Sequence, residues 1–148
     1  MFMSRQMLLS SIVLLLTTVS ALAETGAEFL AKNAEKPGVT VTDSGLQYEV
    51  LKSGKGRSPQ RTDRVTVHYR GTLVDGREFD SSYKRGKPAT FQLNRVIPGW
   101  TEGLQLMKEG DKWRLFIPSK LGYGKRGASG LIGPNETLIF EVELFKVH

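Results

Sequence analysis

Apolar and polar residues alternate in several segments of the second two thirds of the chain, with the period of half-buried β-strands. The alternation is clear over residues 46–52, 64–73, 112–118 and 137–147, and a shorter strand is expected over residues 90–93. Strands that are apolar on one side and polar on the other are typical of an antiparallel sheet with one solvated face.

One segment repeats its apolar residues with a helical period instead. The predicted helix begins at Pro98, carries Trp100, Leu104 and Met107 at positions i, i+4 and i+7, and ends before Gly110. One amphipathic helix among several alternating strands predicts an α+β domain, in which a curved antiparallel β-sheet wraps over one short α-helix.

The first 23 residues have the pattern of a secretory signal peptide. Arg5 precedes an apolar stretch over residues 7–16, and Ala21-Leu22-Ala23 fits a cleavage site after Ala23. We therefore expect export, to the periplasm or outside the cell. The apolar stretch is too short to favour a membrane span, so no stable membrane insertion is expected after cleavage.

The remaining chain is expected to hold a single domain. Residues 24–45 contain a short helical pattern over residues 27–35 and form a lead-in, while residues 46–148 form the domain itself. A chain of 148 residues with 39% hydrophobic composition can bury a core without disulfides or metals. It contains no cysteine, which excludes a disulfide framework and a thiolate nucleophile.

Common catalytic and binding patterns are absent or out of context. Ser81, His68 and Asp80 lack the nucleophile elbow of a hydrolase. The glycines of residues 122–127 have the spacing of a dinucleotide-binding turn, but no helix can begin after them. The net charge is +6, yet the loop cations have no interleaved aromatic residues, so no nucleic-acid partner is expected. No metal or cofactor is expected either.

An apolar pocket with a few polar groups remains, and it suits rotation about a peptide bond. Amide resonance sets a barrier of roughly 18–20 kcal/mol to this rotation, and X–Pro bonds relax over tens to hundreds of seconds. A site that removes water from the amide and donates a hydrogen bond to the twisted carbonyl favours the less conjugated state. This chemistry requires no acid–base pair.

Three segments carry a resemblance to a known family. They are VHYRGTLVDGREFDSS at residues 67–82, VIPGWTEGL at residues 96–104 and GYGKRGASGLIGPNETLIFEVEL at residues 122–144. Together they resemble the FKBP-type peptidyl-prolyl cis-trans isomerases. The sequences Ile-Pro-Gly, Pro-Asn-Glu and Lys-Pro-Ala are most similar to the macrophage infectivity potentiator branch of bacteria. The resemblance extends from about Gly45 to Val147.

The resemblance implies a pocket with a floor, walls, polar groups and a flap. It implies that Trp100 is the floor, that Tyr69, Phe79, Val96, Ile97 and Phe140 are walls, and that Leu131 and Ile132 are flap contacts. It implies that the Tyr123 hydroxyl bonds a ligand carbonyl and that Asp80 lies at the pocket edge with Arg85 as its partner. Taken singly, Trp100, Val96 and Phe140 are expected in a core, and only the match across the whole set favours a pocket.

The resemblance also implies partners and differences from the family. Proline-containing polypeptides, including exported proteins during folding, are the implied substrates, and macrolides such as rapamycin are the implied inhibitors. Ala89 and Ala128 replace a wall phenylalanine and a flap histidine of the best-known small members, so a more open pocket mouth is expected. Residues 24–45 are too few for the long dimerisation arm of the potentiator branch, so a monomer is expected. A non-catalytic holdase chaperone or peptide-binding module that uses the same groove is the alternative.

Overall fold

A computed structural model describes residues 24–128 and 130–148, so the predicted signal peptide lies outside the described residues. Within them, two α-helices and seven strands follow one another along the chain. They are α1 (Gly26–Asn33), β1 (Val39–Val41), β2 (Gln47–Lys52), β3 (Arg64–Leu73), β4 (Glu78–Ser81), β5 (Ala89–Gln92), α2 (Pro98–Leu106), β6 (Lys112–Ile117) and β7 (Leu138–Val147). None of the described helices is long and apolar enough to cross a bilayer.

All strands belong to one antiparallel sheet. Its order is β1-β2-β6-β7-β3-β4, and β5 pairs with β3 beside β4. One edge of β3 pairs with β7, while its other edge pairs first with β5 at Arg64–Val67 and then with β4 at Arg70–Thr72. The predicted α+β class and antiparallel sheet are therefore confirmed.

The core lies between α2 and one face of the sheet. Val65, Val67 and Tyr69 of β3 are buried, as the alternation predicts, and Leu104 and Met107 are fully buried beneath them. The helix ends at Leu106, before the predicted boundary, because Met107 has an extended conformation. The alternation thus identified the buried face correctly, and the error is confined to the last turn of the helix.

Two close contacts bring α2 against β6. A Cβ atom on Gly99 would lie 2.6 Å from the Ile117 side chain, and one on Gly103 would lie 3.0 Å from Leu115. Real Cβ atoms essentially never come within 2.6 Å of a neighbour, so a side chain at Gly99 would require a shift of Ile117 or of the helix, whereas one at Gly103 would require the Leu115 side chain to give by a few tenths of an ångström. The depth of Trp100 below the sheet follows from this contact.

The N-terminal helix α1 packs on the opposite face of the sheet. Phe29 lies 6.0 Å, centroid to centroid, from Phe116, whose side chain points away from those of Leu115 and Ile117. Asn33 Nδ2 donates to Gln47 Oε1 at 2.8 Å, and Gln47 Nε2 donates to the Leu30 carbonyl oxygen at 2.9 Å. Both amides are buried, so the hydrogen bonds satisfy groups that would otherwise destabilise the packing. The helix predicted near residues 27–35 is therefore part of the folded body.

Candidate active site

A cavity of about 510 Å³ opens beside the N-terminal end of α2. Its volume is within the usual range of small-molecule sites. The lining residues come from β3, β4, β5, β7, α2 and the loops around them: Tyr69, Phe79, Asp80, Phe91, Arg95, Val96, Ile97, Trp100, Tyr123, Ala128, Ile132 and Phe140.

Trp100 lines the cavity and is surrounded by three other aromatic rings, each nearly perpendicular to it. Its ring centroid is 5.1 Å from that of Tyr69, 5.2 Å from Phe140 and 5.6 Å from Phe91, with interplanar angles of 87°, 81° and 90°. Edge-to-face contacts of this kind are favourable because the positive ring edge meets the negative ring face. The ring carbons of Trp100 are apolar, and its indole Nε1 is buried and has no acceptor among the described residues.

The position of Trp100 follows from local sequence. Pro98 occupies the first turn of α2, where its fixed φ is compatible with a helix and its missing N–H costs no hydrogen bond. The Trp100 backbone N–H donates to the Ile97 carbonyl oxygen at 3.0 Å. Trp100 therefore lies in the first turn, three residues after Ile97, which lines the cavity together with Val96.

Gly71 allows two further aromatic walls to approach β3. A Cβ atom there would lie 2.6 Å from Phe79 and 2.8 Å from Phe140, whose rings meet edge to face at 5.4 Å. Glycine inside a strand is unfavourable by itself and often marks a close approach of this kind. Gly71, near the end of β3, is a sequence signal for the pocket that the alternation alone does not supply.

The polar side of the cavity is a closed set of hydrogen bonds. The Tyr69 hydroxyl donates to Asp80 Oδ2 at 2.5 Å and accepts from Arg85 Nη2 at 2.7 Å, while Arg85 Nη1 donates to Asp80 Oδ1 at 2.7 Å. The Arg85 guanidinium also lies 5.6 Å from the centre of the Tyr69 ring. Each of the three groups thus fixes the other two.

These contacts keep the ionisation of both acids fixed near neutral pH. Burial, and then the hydrogen bond to Asp80, raises the pKa of Tyr69 to about 12. Burial by itself would raise the pKa of Asp80, but the hydrogen bonds from Tyr69 and Arg85 outweigh it and hold that pKa below its usual value. Asp80 is therefore a carboxylate and Tyr69 a neutral phenol, and neither is placed to exchange protons with a ligand near neutral pH.

Tyr123 differs from Tyr69 in its surroundings. It precedes the 3₁₀ turn Gly124–Arg126, is 40% exposed and lines the cavity. Its hydroxyl has no hydrogen-bond partner among the described residues, so it is available to a ligand. Of the two tyrosines in the cavity, only Tyr123 has this freedom.

The structure brings together most residues that the resemblance assigned to the pocket. All of them except Arg85 and Leu131 line the cavity. Arg85 reaches it through Asp80 and Tyr69, whereas Leu131 is 44% exposed and lies outside the lining. The neighbouring Ile132 is buried and accepts a backbone hydrogen bond from Ala128 at 2.9 Å, which holds the two lining residues of this flap together.

Two lining residues were not predicted from the sequence. Phe91 lies in β5, where the alternation of Ala89 and Phe91 was a signal for a buried face but not for a cavity. Arg95 ends the 3₁₀ turn Leu93–Arg95, and nothing in the sequence distinguished it from other exposed cations. Ala89 packs against the core and is not part of the lining, whereas Ala128 is.

The catalytic triad and the dinucleotide-binding turn that the sequence disfavoured are also unsupported by the geometry. His68 Nδ1 lies 2.7 Å from Ser82 Oγ, and Ser82 is fully buried, so His68, Ser81 and Asp80 do not form a triad. The glycines of residues 122–127 lie in 3₁₀ turns and loops rather than at the start of an α-helix. Across the described residues, no group of three or more histidine, cysteine or carboxylate side chains is placed to hold a metal ion.

Known proteins are similar to most of this chain. Residues 55–145 match the family model "FKBP-type peptidyl-prolyl cis-trans isomerase", and residues 17–50 match the model "Domain amino terminal to FKBP-type peptidyl-prolyl isomerase". The chain is 56% identical over 122 residues to "Outer membrane protein MIP" of Legionella longbeachae, covering 82% of this chain and 52% of that protein. It is 60% identical over 122 residues to the "FKBP-type peptidyl-prolyl cis-trans isomerase FkpA" of Aeromonas hydrophila, covering 82% and 45%. The chain thus spans about half the length of these two relatives.

Solved structures share the fold. The crystal structure of FkpA from Escherichia coli has a TM-score of 0.80 and 52% identity, over 82% of this chain and 57% of that one. A peptidyl-prolyl cis-trans isomerase from Pseudomonas syringae pv. tomato has a TM-score of 0.78 and 44% identity, over 82% of this chain and 90% of that one. The resemblance found in the sequence is confirmed. This chain belongs to the FKBP-type peptidyl-prolyl cis-trans isomerase family.

Proposed function

We propose that this chain catalyses cis–trans isomerisation of X–Pro bonds in exported polypeptides. The observation that carries the proposal is the aromatic cavity, in which Trp100 forms an apolar floor and Tyr123 leaves a free hydroxyl at the mouth. The proline ring is apolar and fits such a site, while its amide carbonyl requires one donor. Membership of the family supports the same reaction.

The cavity acts first by removing water from the amide. A planar amide has the larger charge separation, so a site with few polar groups favours the twisted amide relative to water. The rings of Tyr69, Phe91 and Phe140 around Trp100 provide this environment and hold the Trp100 ring in a fixed orientation. No covalent bond breaks, so no acid, base or metal is required.

The polar groups act second and have separate roles. Tyr123 donates a hydrogen bond to the substrate carbonyl, and this donor favours the twisted amide if it is placed where the oxygen lies in that state rather than in the planar one. Tyr69 cannot do so, because its proton is shared with Asp80. In our proposal the Tyr69–Asp80–Arg85 set holds a rigid wall, and Val96, Ile97, Ile132 and exposed Leu131 contact the residues flanking the proline.

A direct measurement tests the activity. Exchange between the cis and trans forms of a short X–Pro peptide is followed by NMR with catalytic amounts of the protein, with and without rapamycin. We expect faster exchange that rapamycin suppresses. Exchange at the uncatalysed rate, with a protein shown to be folded by circular dichroism, would refute the proposal.

A holdase or peptide-binding module is the second candidate. It is favoured by the apolar surface that Tyr123 and Leu131 expose at 40% and 44% near the cavity. Refolding of a protein whose slow phase is limited by proline isomerisation separates the two functions. An isomerase accelerates the slow phase, whereas a holdase reduces aggregation and leaves that phase unchanged.

We further propose that residues 1–23 are a signal peptide, that residues 24–45 dock on the sheet, and that residues 46–148 carry the catalytic site. The docking of α1 on β6 through Phe29 and Phe116 supports the second part. Intact-mass measurement of the exported protein tests the first part. We expect a chain that begins at Glu24, and a mass that includes residues 1–23 would contradict it.

A further inference from the structure

Arg95 lines the cavity, and its positive charge is not paired with any carboxylate in the described part of the chain. It ends the turn Leu93–Arg95, is exposed and lines the cavity next to Val96. Other arginines close to the sheet, such as Arg70, Arg85 and Arg114, have carboxylate partners. Arg95 has no such partner within the described residues, so its guanidinium is free to meet a ligand.

The charges around the cavity mouth add to that of Arg95. The turn Gly124–Arg126, beside Tyr123, carries the exposed cations Lys125 and Arg126, which likewise have no carboxylate partner in the described part of the chain. Asp80 is the one carboxylate among the lining residues, and Arg85 pairs with it. The mouth therefore has an excess of positive charge.

A neighbouring cavity indicates where a bound chain would pass. It has a volume of about 420 Å³, shares Val96 with the first cavity and contains Arg61 and Glu102. These two residues have charges of opposite sign, and Glu102 also accepts hydrogen bonds from the hydroxyls of Thr42 and Ser44. A polypeptide that leaves the first cavity over Val96 thus passes Arg95, where the positive charge is not balanced.

From this juxtaposition we infer that Arg95 is a specificity-determining residue that favours substrates with an acidic side chain flanking the proline. The inference rests on the proposed isomerase activity. Because the guanidinium is exposed, the effect is that of a surface ion pair, about a 1.4- to 5-fold change in kcat/KM. It weakens with added salt, since the Debye length falls from about 10 Å at 0.1 M to about 3 Å at 1 M.

The experiment compares peptides that differ only in glutamate against glutamine. The residue is placed in turn at each of the two positions before and the two positions after the proline, and kcat/KM is measured for the folded protein, Arg95→Gln and Arg95→Glu. Lys52→Gln is the matched control, because Lys52 is an exposed cation at the end of β2 and outside both cavities.

We expect the unmodified protein to prefer glutamate over glutamine by about 1.4- to 5-fold at one or more positions, with the preference reduced at about 1 M salt. The ratio should fall to about one in Arg95→Gln and below one in Arg95→Glu, while Lys52→Gln keeps the original ratio. Equal rates with glutamate and glutamine at all four positions would overturn the inference and leave the isomerase proposal intact. The inference also fails if Arg95→Gln and Lys52→Gln change the ratio alike. Absence of catalysis on every peptide would instead refute the proposed function.

Discussion

The two tyrosines of the cavity provide the sharpest test of the proposed mechanism. Replacing Tyr123 with phenylalanine removes a hydroxyl that is exposed and has no partner among the described residues. A single hydrogen bond contributes about 0.5–1.5 kcal/mol, so kcat/KM should fall by roughly two- to ten-fold. Catalysis should survive, because the apolar walls still remove water from the amide. The free energy of unfolding should hardly change, because no internal hydrogen bond is lost.

Tyr69→Phe is the matched comparison, since it removes the same atom from the other tyrosine. Here the hydroxyl is held by Asp80 and Arg85, and the side chain is only 4% exposed. Its loss should lower the free energy of unfolding by about 1–3 kcal/mol, because the buried hydrogen bonds are lost. It should also raise the pKa of Asp80, because one of the hydrogen bonds that lower that pKa is gone.

Both variants are measured by a protease-coupled assay of X–Pro isomerisation and by urea unfolding. The reasoning predicts a loss of activity without a loss of stability for Tyr123→Phe, and a loss of stability for Tyr69→Phe. Complete inactivation by Tyr123→Phe alone would refute the mechanism of desolvation with one assisting hydrogen bond. So would a stability loss in Tyr123→Phe as large as that in Tyr69→Phe.

Four further predictions concern the walls, the pH dependence of the rate, the pH dependence of the stability, and the floor. Phe140→Ala should lower kcat/KM more than Tyr123→Phe. The ring is buried, and its removal lowers the free energy of unfolding by about 3–5 kcal/mol, so circular dichroism must first show a folded protein. A smaller loss of kcat/KM than in Tyr123→Phe, in a folded variant, would contradict the role of the walls. The isomerisation rate should be independent of pH from about pH 6 to 8, because the pKa of Asp80 is lowered and that of Tyr69 is raised to about 12. A bell-shaped profile in this range would argue for acid–base catalysis. The pKa of Asp80 is lower in the folded than in the unfolded chain, so its contribution to stability is fully present above the unfolded pKa. This contribution is lost as the pH falls through the folded pKa, and measuring the free energy of unfolding at decreasing pH checks it. A macrolide should change tryptophan fluorescence in Trp113→Phe but not in Trp100→Leu, because Trp113 stacks on Tyr48 outside the cavity. The reverse result would show that Trp100 is not the floor of the pocket.

Local periodicity was sufficient to predict much of the fold. The alternation in β3 predicted the buried face of Val65, Val67 and Tyr69, and the helical spacing predicted that Trp100 and Leu104 face the core. This works because burial on one side of a strand or helix selects apolar residues with the period of that element. The end of α2 was missed, because Met107 is buried by the core whether or not it is helical.

The site residues required more than periodicity. The sequence shows that Phe79 and Phe91 are apolar, but this does not distinguish a wall of a cavity from a closed core. The resemblance placed Phe79 in the pocket, whereas Phe91 and Arg95 were found only in the structure. Both lie on segments whose position depends on β5 pairing with β3 and on the turn that precedes α2.

Long-range contacts decided the remaining features. The strands β1 and β4 have three and four residues, too few for a clear alternation, and they are defined by pairing with β2 and β3. The N-terminal helix was predicted as a lead-in, but its packing depends on Phe116, which is distant in sequence. The different roles of Tyr69 and Tyr123 have the same origin. Both are tyrosines in apolar surroundings, and only the fold brings Asp80 and Arg85 to one hydroxyl while leaving the other free for a ligand.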